Sequence, residues 1–214
     1  MDEKTLKQAS QTRFPSPIIE STKTKEEKKS AIAEHIRSIL EILGLDLSNH
    51  SLCKTPERVA DMYVDEIFSG LTFDTFPDMS MFEEESVSKI GNMVVTKVSL
   101  VSFCEHHLVP MIGTAYIGYL PKDKVIGLSK ISRIARYFAS RPQLQERLSA
   151  QIGDSLATIL DHQDVIVLLK AQHTCVIARG AKAENSITTT LYTDGLFDSS
   201  PEYRREFFTI VSDL

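Results

Sequence analysis

The order of strand-like and helix-like segments after residue 92 limits the folds that this chain can adopt. Segments rich in β-branched residues occur in two pairs, and these segments are 93–101, 114–120, 165–180 and 186–193. Between the pairs, apolar residues recur at helical spacing after Gly127 and again after Pro142. The order strand, strand, helix, helix, strand, strand predicts an α+β domain in which an antiparallel four-stranded sheet carries two long helices on one face.

The preceding part of the chain has a different pattern. Residues 1–28 are polar and contain two prolines, which predicts a flexible N-terminal lead. Residues 29–85 are expected to form an N-terminal helical region and an acidic connector, with one helix ending near Gly44 and another starting near Thr55. Residues 86–214 are then expected to form the main domain.

Composition and charge exclude several classes of protein. The chain has 214 residues and a formal net charge of −5, so binding to nucleic acid is not expected. No segment approaches the roughly 20 apolar residues of a membrane span, and the N-terminus lacks an apolar signal sequence. The three cysteines cannot all pair. We therefore expect reduced thiols, a cytoplasmic location and, for Cys53, simple packing as a small apolar side chain.

The segment 102-SFCEHHLVPMIG-113 concentrates metal-binding and proton-transfer side chains. Cys104 and His107 are three residues apart, so both can reach one ion from a tight turn. Cys175 lies two residues after His173, and on a strand these two would face the same side. A Cys₂His set suits zinc and leaves a fourth position for water, as catalytic sites do. The alternative is that the cysteines are buried apolar side chains and the histidines are solvated.

His106 and His173 lie next to the candidate ligands without belonging to the set. An ordinary histidine titrates near neutral pH, so both could transfer protons during hydrolysis. The alternative is that one of them only supports a metal ligand through a hydrogen bond.

A basic cluster opens the first long helix. Lys130, Arg133 and Arg136 recur every third residue and therefore share a helix face. Ser129 stands beside them, and Arg179 is a further cation near the candidate metal ligands. Cations at a helix N-terminus favour a multiply charged anion as ligand. The alternative is a solvated basic face paired with acidic residues.

Gln145 and Glu146 begin the second long helix. A carboxylate beside an amide can accept hydrogen bonds from an N–H/NH₂ edge such as that of guanine. The alternative is that both are ordinary residues of a helix surface.

Six segments occur in order between about Thr55 and Phe207, and these are 55-TPERVADMYVDEIFSGL-71, 104-CEHHLVP-110, 118-GYLPKDKVIGLSKISRI-134, 141-RPQLQERL-148, 173-HTCVIARG-180 and 195-GLF-197. Together they resemble the GTP cyclohydrolase I family. The run that begins at Ala181 departs from the usual family sequence.

The resemblance implies a catalytic T-fold domain, Zn²⁺ as cofactor, GTP as substrate and a toroidal homodecamer whose active sites are shared between subunits. The implied reaction opens the imidazole ring of GTP, releases formate and recyclises to 7,8-dihydroneopterin triphosphate, the first step of pteridine biosynthesis. The implied site residues are Cys104, His107 and Cys175 for zinc, His106 and His173 for proton transfer, Ser129 for a later step, Lys130, Arg133 and Arg179 for the triphosphate, and Gln145 and Glu146 for guanine.

Two other functions compete with this interpretation. A zinc deaminase acting on a purine nucleotide would carry His-x-Glu and a downstream Cys-x-x-Cys, and this sequence has no Cys-x-x-Cys. A non-catalytic regulator that kept only a structural zinc is the second alternative, and the presence of His106, His173 and Ser129 disfavours it.

Overall fold

The computed structural model describes residues 1–79, 81–83, 93–122 and 124–214. The expected boundary between residues 85 and 86 lies outside these ranges, so the division into 1–28, 29–85 and 86–214 stays a prediction. The strands are β1 (Met81–Glu83), β2 (Val94–Cys104), β3 (Pro110–Tyr119), β4 (Lys124–Ile126), β5 (Pro142–Gln143), β6 (Val165–His173) and β7 (Thr188–Thr193). The helices are α1 (Glu3–Gln11), α2 (Lys25–Ile42), α3 (Thr55–Asp61), α4 (Leu128–Ala139), α5 (Gln145–Leu160), α6 (Thr174–Ile177), α7 (Leu196–Ser199) and α8 (Pro201–Ser212).

The main sheet has the order β5-β2-β3-β6-β7. From β2 to β7 all neighbours are antiparallel, as the sequence predicts, and the α+β class is confirmed. The sheet is mixed, however, because β5 adds a parallel edge of two residues in which Gln143 pairs with Cys104. So short a strand has no periodicity of its own and could not be predicted from the sequence.

Helices α4 and α5 cover one face of this sheet and form the main core with it. Inward-facing residues of β2 and β3 alternate with outward ones, so that Val98, Leu100, Ala115 and Ile117 are buried. Helix α5 is buried over most of its length. Its Gly153 lies against Tyr192 of β7, where an added Cβ would come within 2.2 Å of the ring. Polar residues of α5 therefore need partners inside the fold.

The opposite face of the sheet is partly covered by the C-terminal helices. Phe197 of α7 and Phe207 of α8 are fully buried and pack with Ile166 and Leu168 of β6. The sheet is thus enclosed on both sides near its β6 end.

The N-terminal helices are longer than the pattern of apolar residues indicates. Helix α2 begins at Lys25, because Thr24 and Glu27 form a capping box in which each side chain accepts from the backbone N–H of the other. It ends at Ile42, and Gly44 follows with a φ of 80°, as expected for a helix stop. Helix α3 continues as a π-helical stretch from Met62 to Ile67.

The polar N-terminal lead is ordered where it meets α5. Helix α1 buries Ala9 completely. After it, Arg13 forms an ion pair with the buried Asp154, and Gln151 donates through Nε2 to Phe14 O at 2.7 Å and to Ser16 Oγ at 2.9 Å. The polar composition of the lead predicts little order, whereas the residues that hold it lie about 140 positions away and leave no local signal in the sequence.

None of the helices in the described ranges is both long and apolar enough to span a lipid bilayer.

Candidate active site

A tight turn between β2 and β3 carries the first two candidate metal ligands. Leu108 N–H donates to Cys104 O at 2.8 Å, and Cys104 N–H donates to Val109 O at 3.0 Å. Leu108 takes a left-handed φ of 52°, which lets the chain reverse. The turn brings His107 Nδ1 to 3.9 Å from Cys104 Sγ. The C-x-x-H spacing therefore does place both side chains at one point.

Cys175 reaches the same point from the other side of β3. Strand β6 ends at His173, and the chain enters the single turn α6. The expectation that His173 and Cys175 lie on one strand is therefore wrong. Thr174 Oγ1 donates to Pro110 O at 2.6 Å and fixes this turn beside the start of β3. The ligating atoms of Cys104, His107 and Cys175 all lie within 4.8 Å of one another.

This group fits a zinc ion. Zinc–sulfur and zinc–nitrogen bonds of about 2.3 and 2.0–2.1 Å place tetrahedral ligands about 3.5–3.8 Å apart, slightly closer than these atoms stand. Burial raises the pKa of the Cys175 thiol, and the neighbouring Cys104 raises it further. A thiol whose ionisation is disfavoured in this way is stabilised as a thiolate by a divalent cation. Among the described residues, three ligating side chains form the group, the number that catalytic zinc sites use.

Arg179 contacts the metal-ligand group directly. Its Nη1 lies 2.7 Å from His107 Nε2. A guanidinium only donates, so His107 Nε2 is the acceptor and Nδ1 carries the hydrogen in this arrangement. If His107 held a metal through Nδ1, its hydrogen would stand on Nε2, and Arg179 would be available to another partner.

His173 is held by the buried side chain of Gln145. Gln145 donates through Nε2 to Leu169 O at 2.9 Å and to Thr188 O at 3.0 Å, which fixes the direction of its amide. Gln145 Oε1 therefore accepts from His173 Nε2, at 2.8 Å. Burial lowers the pKa of His173, against an opposing effect of the Glu146 carboxylate. In its neutral form, His173 therefore carries the hydrogen on Nε2, and its Nδ1 lone pair is the basic one.

The other residues predicted for proton transfer and guanine binding differ in how exposed they are. His106 is exposed, and its ring centroid lies 6.3 Å from that of His107. Glu146 is exposed in the first turn of α5. Gln145, by contrast, is only 2% exposed. Both predictions about guanine therefore remain open, but the Gln145 side chain already has its partners within the fold.

The predicted anion-binding residues lie on α4. Ser129, Arg133 and Arg136 are exposed and Lys130 is half-buried. Arg133 and Arg136 line a cavity of about 370 Å³ together with Ser69, Gly70, Thr75, Pro77, Tyr137 and Ser140. Over the described ranges, no hydrogen bond or ion pair joins this basic face of α4 to the metal-ligand group. Within one chain, the two predicted parts of the site are not in direct polar contact.

Two residues beside the metal-ligand turn, Glu105 and Arg147, are not among the site residues predicted from the sequence. Arg147, on α5, donates to the carboxylate of Glu105 in the β2–β3 turn. Both stand inside segments that the sequence analysis singled out, CEHHLVP and RPQLQERL, but neither is a zinc ligand type in a recognised spacing. Only the folded arrangement shows that they meet.

Comparisons with known proteins identify the family of this chain. The sequence model of the GTP cyclohydrolase I family matches residues 32–212. A protein named GTP cyclohydrolase 1 from Vibrio cholerae is 49% identical over 192 residues, covering 89% of this chain and 88% of that protein. One from Shewanella denitrificans is 50% identical over 194 residues, covering 89% and 88%.

A solved structure, the archaeosine synthase QueF-Like in the apo form, aligns with a TM-score of 0.39 and 14% identity over 47% of this chain and 90% of that one. That likeness is too low to bear on the fold. The family match and the relatives decide the matter: the chain belongs to the GTP cyclohydrolase I family.

Proposed function

We propose that this chain catalyses the GTP cyclohydrolase I reaction, in which the imidazole ring of GTP is opened by water, formate is released and the product recyclises to 7,8-dihydroneopterin triphosphate. The observation that carries the proposal is the meeting of Cys104, His107 and Cys175, the last of which lies two residues after the hydrogen-bonded His173. This arrangement places a metal-binding group next to a proton-transfer group, which hydrolysis of a ring C–N bond requires.

Cys104, His107 and Cys175 would hold Zn²⁺. When bound, the ion supplies hydroxide at neutral pH by lowering the pKa of its water. The cysteines meet the preference of zinc for sulfur, and the position of Arg179 beside His107 gives the ligand set a cationic neighbour.

His173 and His106 carry the proton-transfer roles. Nδ1 of His173 can accept a proton because Gln145 keeps the hydrogen on Nε2. His106 is exposed on the same turn as two metal ligands and can deliver a proton to the leaving ring nitrogen. Ser129, exposed at the start of α4, is assigned to the later rearrangement of the opened ribose.

The substrate would be held at its two ends. Lys130, Arg133 and Arg179 are assigned to the triphosphate, where charge-assisted hydrogen bonds are strong. The exposed carboxylate of Glu146 is assigned to the N1–H and 2-amino edge of guanine. Because the Gln145 side chain is already paired, its part in guanine binding would come from its backbone N–H in the unsatisfied first turn of α5.

We further infer a T-fold whose subunits assemble into a homodecamer with shared active sites. The separation of the α4 cations from the metal-ligand group supports this, because a second subunit can bring its α4 to the site. Exposed apolar residues on the sheet also support it. Val101 and Ile112 are register partners that are 55% and 54% exposed, on the face of the sheet opposite α4 and α5.

A reduced cytoplasmic compartment suits thiol ligands and a GTP substrate. We therefore propose a cytoplasmic location and assign the product to pteridine biosynthesis.

One assay tests the function. Purified, zinc-loaded protein is incubated with GTP, and formate is measured together with the fluorescent pterin that forms after oxidation. Both products are expected in equal amounts. Ammonia without formate would indicate a deaminase. Neither product, from protein that binds one zinc per subunit, would indicate a non-catalytic regulator.

A further inference from the structure

A second polar group supports the metal-ligand turn from behind. Arg147 donates through Nη2 to the carboxylate of Glu105, the residue between Cys104 and His106. The two side chains are only 15% and 21% exposed. A charged pair that is this far removed from water is less screened than a surface pair and holds its geometry more firmly.

Gln143 completes the connection between the turn and α5. Arg147 Nε donates to Gln143 Oε1 at 3.1 Å, and the backbone N–H of Glu105 donates to Gln143 O at 3.0 Å. Gln143 is 1% exposed and in turn donates through Nε2 to Phe138 O at 2.8 Å and to Gln151 Oε1 at 2.7 Å. Each polar atom named here has a partner, so the group is rigid rather than adaptable.

The turn itself has few other side-chain anchors. His106, His107 and Leu108 are all exposed. Besides the contact of Arg179 with His107, the turn is held by its backbone pairing and by the side chain of Glu105. A change in the Glu105–Arg147 pair should therefore alter the orientation of the neighbouring metal ligands, Cys104 and His107.

Helix α5 also holds the other half of the reaction centre. Two residues before Arg147, Gln145 accepts from His173. The first turn of one buried helix thus contacts both the metal-ligand turn and the proton-transfer histidine. The relative position of these two groups is set by that turn of helix.

We propose that Glu105 and Arg147 are positioning residues, whose ion pair fixes the Cys104–His107 turn to the first turn of α5 and so sets the geometry of the metal ligands relative to His173. The proposal rests on the proposed function for its catalytic consequence. Its structural part, the effect on metal binding, is independent of the substrate.

The test uses the full chain with Arg147→Gln, Arg147→Lys, Glu105→Gln and the double variant Glu105→Gln/Arg147→Gln. Arg205→Gln is the matched control, because Arg205 pairs with Glu202 at 3.4 Å on the exposed surface of α8. Zinc affinity is measured by competition with a chelator, and Co²⁺-substituted protein reports ligand geometry through its visible absorption. Turnover of GTP gives kcat and KM, and thermal unfolding of the metal-free proteins gives stability.

Loss of a residue that orients metal ligands typically lowers metal affinity 10–100-fold. We expect that loss for Arg147→Gln, with an altered Co²⁺ spectrum and a lower kcat at nearly unchanged KM. Glu105→Gln should be milder, because an amide oxygen still accepts from Arg147, and Arg147→Lys should recover part of the affinity. The double variant should lose less than the product of the two single losses, since both remove the same pair.

Wild-type zinc affinity and Co²⁺ spectrum in Arg147→Gln and Glu105→Gln, with only thermal stability reduced, would overturn the proposal and leave a merely structural ion pair. If Arg147→Gln does not fold, Glu105→Gln and Arg147→Lys give the same decision. A further outcome is that the wild-type protein releases no formate from GTP while the variants still show altered metal binding. That combination would support the positioning role and reject the proposed function.

Discussion

Gln145 Oε1 accepts a hydrogen bond from His173 Nε2 at 2.8 Å, and this contact assigns the hydrogen of the imidazole. The amide cannot be reversed without placing its oxygen against Leu169 O and Thr188 O, which both accept from its Nε2. His173 therefore presents Nδ1 as its basic atom. A buried glutamine that sequence reasoning placed against guanine is, in the fold, the partner of a histidine.

Replacing Gln145 with leucine should reduce turnover much more than metal binding. The variant leaves His173 Nε2–H without this acceptor, removes the amide donor from Leu169 O and Thr188 O, and lets the imidazole rotate. General acid–base catalysis contributes typically 10²–10⁴-fold, so we expect kcat to fall by about 10²-fold. Turnover of GTP and zinc content per subunit check this. The exposed Gln8→Ala is the control, and a Gln145→Leu protein with full turnover would refute the role of the contact.

In the pH profile of kcat/KM, the acid limb should lie at a pH below the ordinary pKa of histidine. The limb should shift when Glu146 is replaced. Burial lowers the pKa of His173, so its basic form persists below pH 6.5, while the Glu146 carboxylate acts in the opposite direction. Removing that charge in Glu146→Gln should lower the pKa of His173 further, because the imidazolium loses an opposite charge. The limb then moves to lower pH.

The pH profile of kcat/KM in wild type and in Glu146→Gln measures this shift. Glu146→Gln should also weaken guanine binding, which lowers kcat/KM at every pH without moving the limb. A limb that moves to higher pH in this variant would contradict the assignment to His173.

Loss of one metal ligand should remove metal and activity together. Cys175→Ser and His107→Ala each leave two ligands of a three-ligand group, and we expect less than about a tenth of the zinc per subunit at micromolar metal. Metal analysis and the GTP assay give the two values. Cys53→Ser is the matched control, since Cys53 Sγ contacts only His50 O, at 3.4 Å, among the hydrogen bonds of the described chain.

Full zinc content and turnover in Cys175→Ser or His107→Ala would reject the ligand set. Equal loss in Cys53→Ser would show that the assay reports general damage by thiol removal.

Removing Arg133 should weaken GTP binding without changing metal content. A charge-assisted hydrogen bond contributes about 1.5–3 kcal/mol, which corresponds to a rise in KM of roughly 10–100-fold. Steady-state kinetics of Arg133→Ala with GTP measure it, and Arg205→Ala on the exposed face of α8 serves as the control. An unchanged KM would remove Arg133 from the triphosphate site.

The secondary structure was predictable where a periodic pattern was long enough. Strands β2 and β3 and helices α4 and α5 follow the predicted segments. A strand with one buried face has apolar residues at alternate positions, and a helix with one buried face has them at helical spacing, so both patterns are visible in the sequence. The chain after His173 was predicted as a continuing strand and instead forms α6. Its residues are β-branched and apolar enough for either state, and the hydrogen bond from Thr174 to Pro110, a contact distant in sequence, selects the turn.

By itself, the sequence determined the class of fold and the chemistry available, since C-x-x-H in a tight turn, a distant cysteine and a basic helix start are local patterns with local physical causes. Only the tertiary structure decided which groups meet. Hydrogen bonds join Arg13 to Asp154, Arg147 to Glu105 and Gln145 to His173, across separations of 141, 42 and 28 residues. Such pairs leave no periodic signal, because burial in the folded chain, and not the neighbouring residues, selects a partner for each polar group.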